Sequence, residues 1–306
     1  MKILVVARYK EHGYVPFVTE QVHALEDIGV KCRFFPVQDN GPIGYLRHLS
    51  ALKDAIRDFK PDVVHAHYGM CGLLANLQLT VPVVTTYHGS DINKRWVLQL
   101  SRIAMRLSAY NIFVSRENIE SARPKRNYVL MPCGITLDDF PTVEKTDARN
   151  RMCLEQDEKY VLFAGAFDNP VKNARLAKES VALLPQARLL ELKGYSRMQV
   201  AMLFQAVDVL FMTSYTEGSP QVIKEAMACG CPIVSVDVGD VRERVNGVEG
   251  CFVSHTRKPE ELAGLIGKAL AFTGRTKGRE SIVASGLDNR SVADKLKYIY
   301  KISQMR

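Results

Sequence analysis

Two doubly wound parallel α/β domains in tandem are the fold this sequence predicts, and three observations predict it. Short runs rich in Val and Ile alternate with segments whose apolar residues recur every three or four positions, the mark of βαβ units. The alternation breaks once, across the charged residues 138–158, and then starts again. With 306 residues, 47% hydrophobic and 24% charged, the chain has the length and apolar content for two cores of about 150 residues each.

The first strand is Ile3–Ala7, an apolar run too short for the core of a signal peptide. Further strands are expected at Val30–Val37, 62–67, 81–88, 111–115 and 127–132, with helices at about 15–28, 44–59, 94–109 and 117–122 between them. Residues 138–158, charged and carrying one proline, suit an interdomain connector. The second half offers strands at 160–165, 188–192, 209–214, 232–236 and 251–253. Its helices are expected at 172–184, 197–206, 220–229, near 240–246 and at 259–272. The domains are therefore placed at 1–141 and 142–290, with a closing amphipathic helix, 291–306, that crosses back to the first. Ligands of open α/β sheets bind beyond the carboxyl ends of the strands, so functional residues are expected in loops after strands, on a cleft that both domains face.

Composition narrows the function. No run of about 18 apolar residues exists to form a membrane-spanning helix. The seven cysteines are scattered and lack a C-x-x-C pair, which fits a reducing, cytoplasmic setting and no zinc ribbon. The net charge of +8 is evenly spread: 17 basic and 13 acidic residues lie in 1–141, 24 and 20 in the remainder. That argues against a nucleic-acid-binding domain. One segment departs from this evenness. Lys94–Arg126 holds eight basic residues against Glu117 and Glu120. It is either a solvated helix face or a docking surface for anionic membrane lipid or a phosphate-bearing acceptor, the latter at the inner face of a membrane.

The richest stretch is TSYTEGSPQVIKEAMACGCPIVS, residues 213–235. A strand leads into a loop and then a helix, which Ser219 is expected to cap with Pro220 in its first turn, and which Gly230 and Pro232 end. The helix tip, Gly218-Ser219-Pro220-Gln221, presents unpaired amides and the positive end of a dipole, an anion site suited to a diphosphate. Glu217 precedes the helix, and Glu225 lies about 8 Å along its axis, leaning back toward the tip. One ligand can thus meet Glu217 with a sugar, the tip with phosphates and Glu225 with ribose hydroxyls. The spacing of two glutamates carries no information alone; the frame around them does.

That frame, strand, E-G-S-P, helix, E-A-M-A-C-G-x-P, strand, closely resembles the second-domain signature of the family-4 retaining glycosyltransferases, which have the GT-B fold. PDVVHAH (61–67), TTYHGSD (85–91), MPCGITLDDF (131–140) and FQAVDVLFMTS (204–214) follow in family order. FDNPVKN and VDVGDV resemble motifs of enzymes that build capsular or teichuronic-type surface polysaccharides. The resemblance implies transfer of a sugar from a nucleotide-diphosphate sugar to a saccharide or lipid-linked saccharide, with no metal or other cofactor. By the same resemblance Glu217 contacts the donor sugar, Glu225 holds ribose, and Lys172 binds the diphosphate and neutralises the leaving group. Gly165 lies in the same donor loop as Lys172. His88 lies against the donor sugar or phosphate, and Asp91 either touches the donor or caps the following helix. The loop Arg8–Tyr14, with Gly13, stands where the family has a glycine-rich acceptor loop.

Three departures stand out. Gly165-Ala166-Phe167 replaces a segment where the family has an arginine, so one diphosphate cation is missing or comes from elsewhere. Cys133 replaces an asparagine, and the short link between about 184 and 197 suggests a lost strand–helix unit. His65 and His67 share one side of a strand but lack a third ligand, so packing is expected there. No D-x-D pair lies at a strand end. Rival readings on a similar scaffold are a two-lobed ligand-binding protein and a nucleotide-sugar epimerase.

Overall fold

In a computed structural model that describes residues 1–11 and 13–305, the chain divides into two compact units. Unit 1 comprises Met1–Gly134 and the stretch from Leu287 to the C-terminus; unit 2 is Ile135–Gly286. The division thus falls ahead of residue 141. Position 306 of the closing helix lies outside the described residues.

Unit 1 runs β1 (Lys2–Arg8), α1 (Pro16–Asp27), β2 (Lys31–Val37), α2 (Gly41–Arg47), α3 (Leu49–Phe59), β3 (Val63–His67), α4 (Gly69–Asn76), β4 (Val83–Tyr87), α5 (Arg95–Leu107), β5 (Tyr110–Phe113), α6 (Arg116–Ala122) and β6 (Tyr128–Leu130). Its six strands are all parallel, in the order β2-β1-β3-β4-β5-β6. Alternate residues of β1 serve opposite faces. Ile3, Val5 and Ala7 pack with Val18, Val22 and Leu25 of α1, while Leu4 and Val6 pack with Leu52 and Ile56 of α3 and Leu74 of α4. Burial on both faces is why these strands read as continuous apolar runs. The helix expected over 44–59 is two helices that meet at His48. The unexpected α4 is buried almost all round, so it shows no apolar stripe. Its glycines let it press close: a Cβ at Gly72 would lie 2.5 Å from Thr85 on β4.

Unit 2 runs α7 (Lys145–Arg151), β7 (Lys159–Phe163), α8 (Ala174–Ala182), β8 (Ala187–Glu191), α9 (Arg197–Ala206), β9 (Val209–Met212), α10 (Gln221–Ala228), β10 (Ile233–Val236), α11 (Val241–Val245), β11 (Cys251–Ser254), α12 (Pro259–Ala271) and α13 (Gly278–Ala284). Its five strands are parallel in the order β11-β10-β9-β7-β8. Residues 138–158 are not a bare connector. They carry α7, whose Arg149 is buried and donates to Asp208 Oδ2 at 3.0 Å and Ala206 O at 3.0 Å. Asp208 also accepts from Lys145 Nζ at 2.5 Å and the Tyr160 amide at 2.7 Å. Two of the charges in this stretch, Lys145 and Arg149, turn onto one carboxylate, while Glu144, Asp147 and Arg151 stay exposed.

The last helix, α14 (Asn289–Gln304), is capped by Asp288, which accepts from the Ser291 amide at 2.9 Å. It buries Leu296, Ile299 and Tyr300 against unit 1. No helix among the described residues is long and apolar enough to cross a membrane.

Both sheets share one strand order, with the first strand of each unit between its second and third. Chain progression therefore reverses between β1 and β3 in unit 1 and between β7 and β9 in unit 2. Such a switch point opens a crevice beyond the strand ends.

Candidate active site

In unit 2 the loops that follow β7 and β9 meet where this rule places a ligand. The Tyr215 amide donates to Val171 O at 2.9 Å, and Thr213 Oγ1 donates to Lys172 O at 2.8 Å and Asn173 O at 3.0 Å. Lys172 ends a 3-10 turn, Pro170–Lys172, opened by Asn169, whose side chain accepts from the Val171 amide at 3.1 Å. Its ammonium donates to Glu217 Oε1 at 2.7 Å, both side chains being partly buried. The lysine stem crosses bare backbone at Gly165, where a Cβ would stand 2.8 Å from Lys172 Cγ. Three of the expected residues, Gly165, Lys172 and Glu217, are thus brought together.

The turn into α10 differs from expectation. The helix opens at Gln221 with Pro220 in the capping position, and no side chain caps it. The Ser219 hydroxyl is engaged elsewhere: it donates to Asp240 Oδ2 at 2.8 Å and accepts from Lys224 Nζ at 3.2 Å. The turn after β10 braces this loop, since the Asp240 amide donates to Gly218 O at 3.1 Å. Gly239 has φ +59°, and a Cβ on it would lie 2.5 Å from that same Gly218 oxygen.

Two cations here were not singled out by the motifs, Lys224 and Arg197. Lys224 is fully buried beneath the Ser219 turn. Burial pushes the Asp240 carboxyl up, while the charges of Lys224 and Arg244 pull it down. Arg197, at the start of α9, stands 3.5 Å from Glu225 Oε1 and 2.9 Å from Asp139 Oδ2. Glu225 is therefore paired apart from Glu217. Its carboxyl is raised by burial, against the pull of Arg197 and Lys224. The signal for Lys224 was its place in α10, between the buried Ile223 and Ala226; a lysine there defies the usual outward rule.

Unit 1 gathers histidines at the ends of β3 and β4. His65 and His67 are fully buried. His65 meets Tyr300 Oη through Nδ1 at 2.6 Å and Thr86 Oγ1 through Nε2 at 2.8 Å. His67 Nδ1 lies 3.1 Å from His88 Nε2, and the Gln21 amide nitrogen lies 3.5 Å from both buried rings. Burial holds His65 well below the usual imidazole range and His67 down to about 3, so both are neutral packing groups. His88 is partly buried, with Phe17 and Tyr68 rings 4.8 and 4.6 Å away and Cys133 Sγ 3.7 Å from Nδ1.

Asp91 is buried, and its carboxylate accepts from the Gly69, His88 and Gly89 amides at 2.9, 3.0 and 3.0 Å. It ties the start of the preceding helix α4 to the His88 loop, and it does not cap the helix that follows, α5, which no side chain caps. Burial pushes its carboxyl up to about 6, against those amides.

Beyond β1, Arg8, Tyr9, Lys10, Glu11 and Gln38 line a cavity of about 550 Å³. Arg8 donates to Asn40 Oδ1 at 2.8 Å. Gly13, φ +100°, closes a tight turn with Lys10 through amide–carbonyl bonds of 2.9 and 3.1 Å. Residue 12 of this loop lies outside the described residues.

Comparison with known proteins joins these halves. The family model described as "Glycosyltransferase Family 4" matches residues 8–139, and that described as "Glycosyl transferases group 1" matches residues 161–271. A Bacillus subtilis (strain 168) protein named for teichuronic acid biosynthesis, the glycosyltransferase TuaC, is 27% identical over 215 residues, 60% of this chain and 55% of that protein. The chain spans about half the length of the curated relatives it matches. Among solved structures, sucrose-phosphate synthase from Thermosynechococcus elongatus superposes with a TM-score of 0.84 at 18% identity, over 98% of both chains. Anabaena Alr3699/HepE in complex with UDP gives 0.77 at 15% identity, over 98% of this chain and 100% of that one. At such identities these likenesses speak to the fold, which is GT-B. Two family models in order along the chain and two parallel sheets of one strand order place this protein in glycosyltransferase family 4.

Proposed function

We propose that this chain is a metal-independent retaining glycosyltransferase that moves a sugar from a nucleotide-diphosphate sugar to a saccharide or lipid-linked saccharide in surface polysaccharide synthesis. The observation that carries the reading is the Lys172–Glu217 pair of 2.7 Å at the switch point of unit 2. A cation held by a carboxylate can exchange that partner for a phosphate oxygen, leaving the carboxylate to accept from sugar hydroxyls. As the bond from the anomeric carbon to the diphosphate breaks, negative charge grows on the leaving oxygen beside the Lys172 ammonium and the tip of α10. The acceptor hydroxyl approaches on the face the diphosphate leaves, forms the new bond from its oxygen to the anomeric carbon and gives its proton to the departing diphosphate oxygen, so the anomeric configuration is kept.

Glu225 holds ribose hydroxyls with Arg197 as its counter-ion, and the buried Lys224, behind the Ser219 turn, adds positive potential that the missing arginine at 165–167 does not supply. In unit 1, His88 is the residue assigned a catalytic role, oriented by His67 and by the loop that Asp91 ties down. The cavity beside Arg8 takes the acceptor. A cytoplasmic site at the inner face of a membrane, with peripheral contact through residues 94–126, belongs to the same reading.

The Anabaena protein of this fold binds UDP, which makes uridine nucleotides the first donors to try. Thermal-shift measurements with UDP-, GDP- and ADP-sugars are expected to raise the melting temperature with one of them, because a ligand of the folded state stabilises it. Free nucleoside diphosphate is then expected only when a saccharide acceptor is present. No shift with any nucleotide sugar sinks the proposal; turnover of the donor without acceptor points to an epimerase.

A further inference from the structure

Residues 94–126 fold into surfaces that a solvated basic helix does not need. Helix α5 buries Val97, Ser101, Ala104 and Met105 against unit 1. Its outward surface carries two rows. Trp96, Leu100, Ile103 and Leu107, spaced by four, three and four, form one stripe at helical period. Within it Trp96 is 60%, Ile103 42% and Leu107 50% exposed. Arg95, Arg102 and Arg106 form a second stripe beside the first. Where α5 approaches the end of α6, a cavity of about 730 Å³ is lined by Arg102, Arg106, Arg123, Lys125 and Arg126, and by no acidic side chain. Glu117 and Glu120, the acids of this segment, stand on α6 outside it. Arg102 holds the cavity wall by donating to the Ala122 and Ser121 carbonyls at 3.3 and 3.2 Å.

We propose that α5 lies in the surface of an anionic bilayer, with Trp96, Ile103 and Leu107 in the acyl boundary and lipid phosphates in the five-cation cavity. Charge complementarity chooses the occupant. A row of apolar side chains including a tryptophan, flanked by cations, is the composition of an interfacial helix, and each half of it suits a different depth of the bilayer. A soluble phosphate would use the cavity and leave the apolar row without a role. A neutral bilayer would use the row and leave the cations without one. The inference deepens the membrane part of the function proposed above and does not depend on the donor chemistry.

Trp96 is the sole tryptophan of the chain, so its emission reports on this surface alone. The test is co-sedimentation of the full chain with vesicles of phosphatidylcholine, or of phosphatidylcholine and phosphatidylglycerol in equal parts, with emission recorded in the same samples. The protein is expected to sediment with the anionic vesicles, with Trp96 emission moved to shorter wavelength, and to be released by salt. Each cation near such a surface contributes about a fivefold gain in partition, so R106A/R126A should bind about twenty-five-fold more weakly. I103D, which keeps the probe, should also bind more weakly. Equal binding to neutral vesicles, an unmoved emission in the bound protein, displacement by inorganic phosphate where sodium chloride of the same ionic strength does not displace, or wild-type binding by R106A/R126A would each overturn the proposal. The same variants should keep the wild-type thermal shift with nucleotide sugar, which separates failure here from failure of the donor assignment.

Discussion

The two units share a strand order but treat the polar groups at their strand ends in opposite ways. Unit 1 lines up imidazoles, hydroxyls and amides, Tyr300–His65–Thr86 and His67–His88, with burial keeping His65 and His67 uncharged. Unit 2 sets charges against one another: Lys172 with Glu217, Arg197 with Glu225, and Lys224 and Arg244 around Asp240. A neutral chain fixes the orientation of a ring. A set of ion pairs stores partners that an anionic ligand can claim. The function proposed above uses this contrast: it assigns the anion chemistry to unit 2 and the positioning of His88 to unit 1.

The largest effect is expected where buried charge is stripped of its partner. Lys224→Met removes a buried cation beside the Asp240 carboxyl, which keeps Ser219 and Arg244, so the cost is at most that of breaking a buried pair, about 3–5 kcal/mol. Chemical denaturation should show this loss, and the double variant K224M/D240N should recover part of it, because it removes the buried carboxylate and leaves Arg244 to Glu243. A loss under about 1 kcal/mol would mean that unit 2 does not depend on its buried charges.

Next comes Lys172→Ala. It removes a donor aimed at developing charge, an effect of about a hundredfold to a thousandfold on turnover. The partly buried site should tolerate the change with little loss of stability. Turnover within a few-fold of wild type, measured by nucleoside diphosphate release, would move the anion chemistry out of unit 2.

These two lysines also show what was legible in the sequence. Lys172 sits in a motif, FDNPVKN, and could be named; Lys224 sits in the signature helix at one of its unspecified positions, and it is tied to Ser219, whose hydroxyl is held by the turn at Asp240, 21 residues on in the chain. The parallel sheets were legible because strands buried on both faces become unbroken Val and Ile runs. Helix α4 was not, since a helix buried all round has no period to read and its glycines look like a loop. Helix α7 was hidden by its charges, all of which composition assigns to solvent, while the fold sends Lys145 and Arg149 to Asp208. Ser219 met every local rule for a helix cap, yet a tertiary partner, Asp240, won its hydroxyl. Local pattern thus set the frame, and long-range pairing set the polar chemistry inside it.

Acid should separate the two units more gently. His65 and His67 are held below 6.5, so as pH falls under that value the unfolded chain takes up protons that folded unit 1 refuses, and stability drops. Asp91, raised to about 6, works the other way below that pH and offsets one of the two histidines. The net loss is then about 1.4 kcal/mol per pH unit. In unit 2 the raised carboxyls of Glu225 and Asp240 bind protons more readily folded than unfolded, so they add stability as pH falls. Hydrogen exchange between pH 6.5 and 4.5, corrected for intrinsic rates, should show β3 and β4 losing protection before β9 and β10. The reverse order would break the contrast.

The smallest expected effect isolates the neutral chain itself. Tyr300→Phe deletes the hydroxyl that meets His65 Nδ1 at 2.6 Å and leaves the ring packed in the unit 1 core. His65 stays satisfied at Nε2 by Thr86, and the Gln21 amide already lies 3.5 Å from the vacated nitrogen, so the cost stays near that of one hydrogen bond, about 1 kcal/mol. For a folding unit of this size that is a fall of about 2–4 °C in melting temperature. The donor-induced thermal shift should not change, because the donor groups assigned to unit 2 are untouched. If the variant instead lost donor affinity, the imidazole chain would reach the chemistry more directly than the orientation of His88 requires, and the division of labour between neutral and charged ends would have to be redrawn.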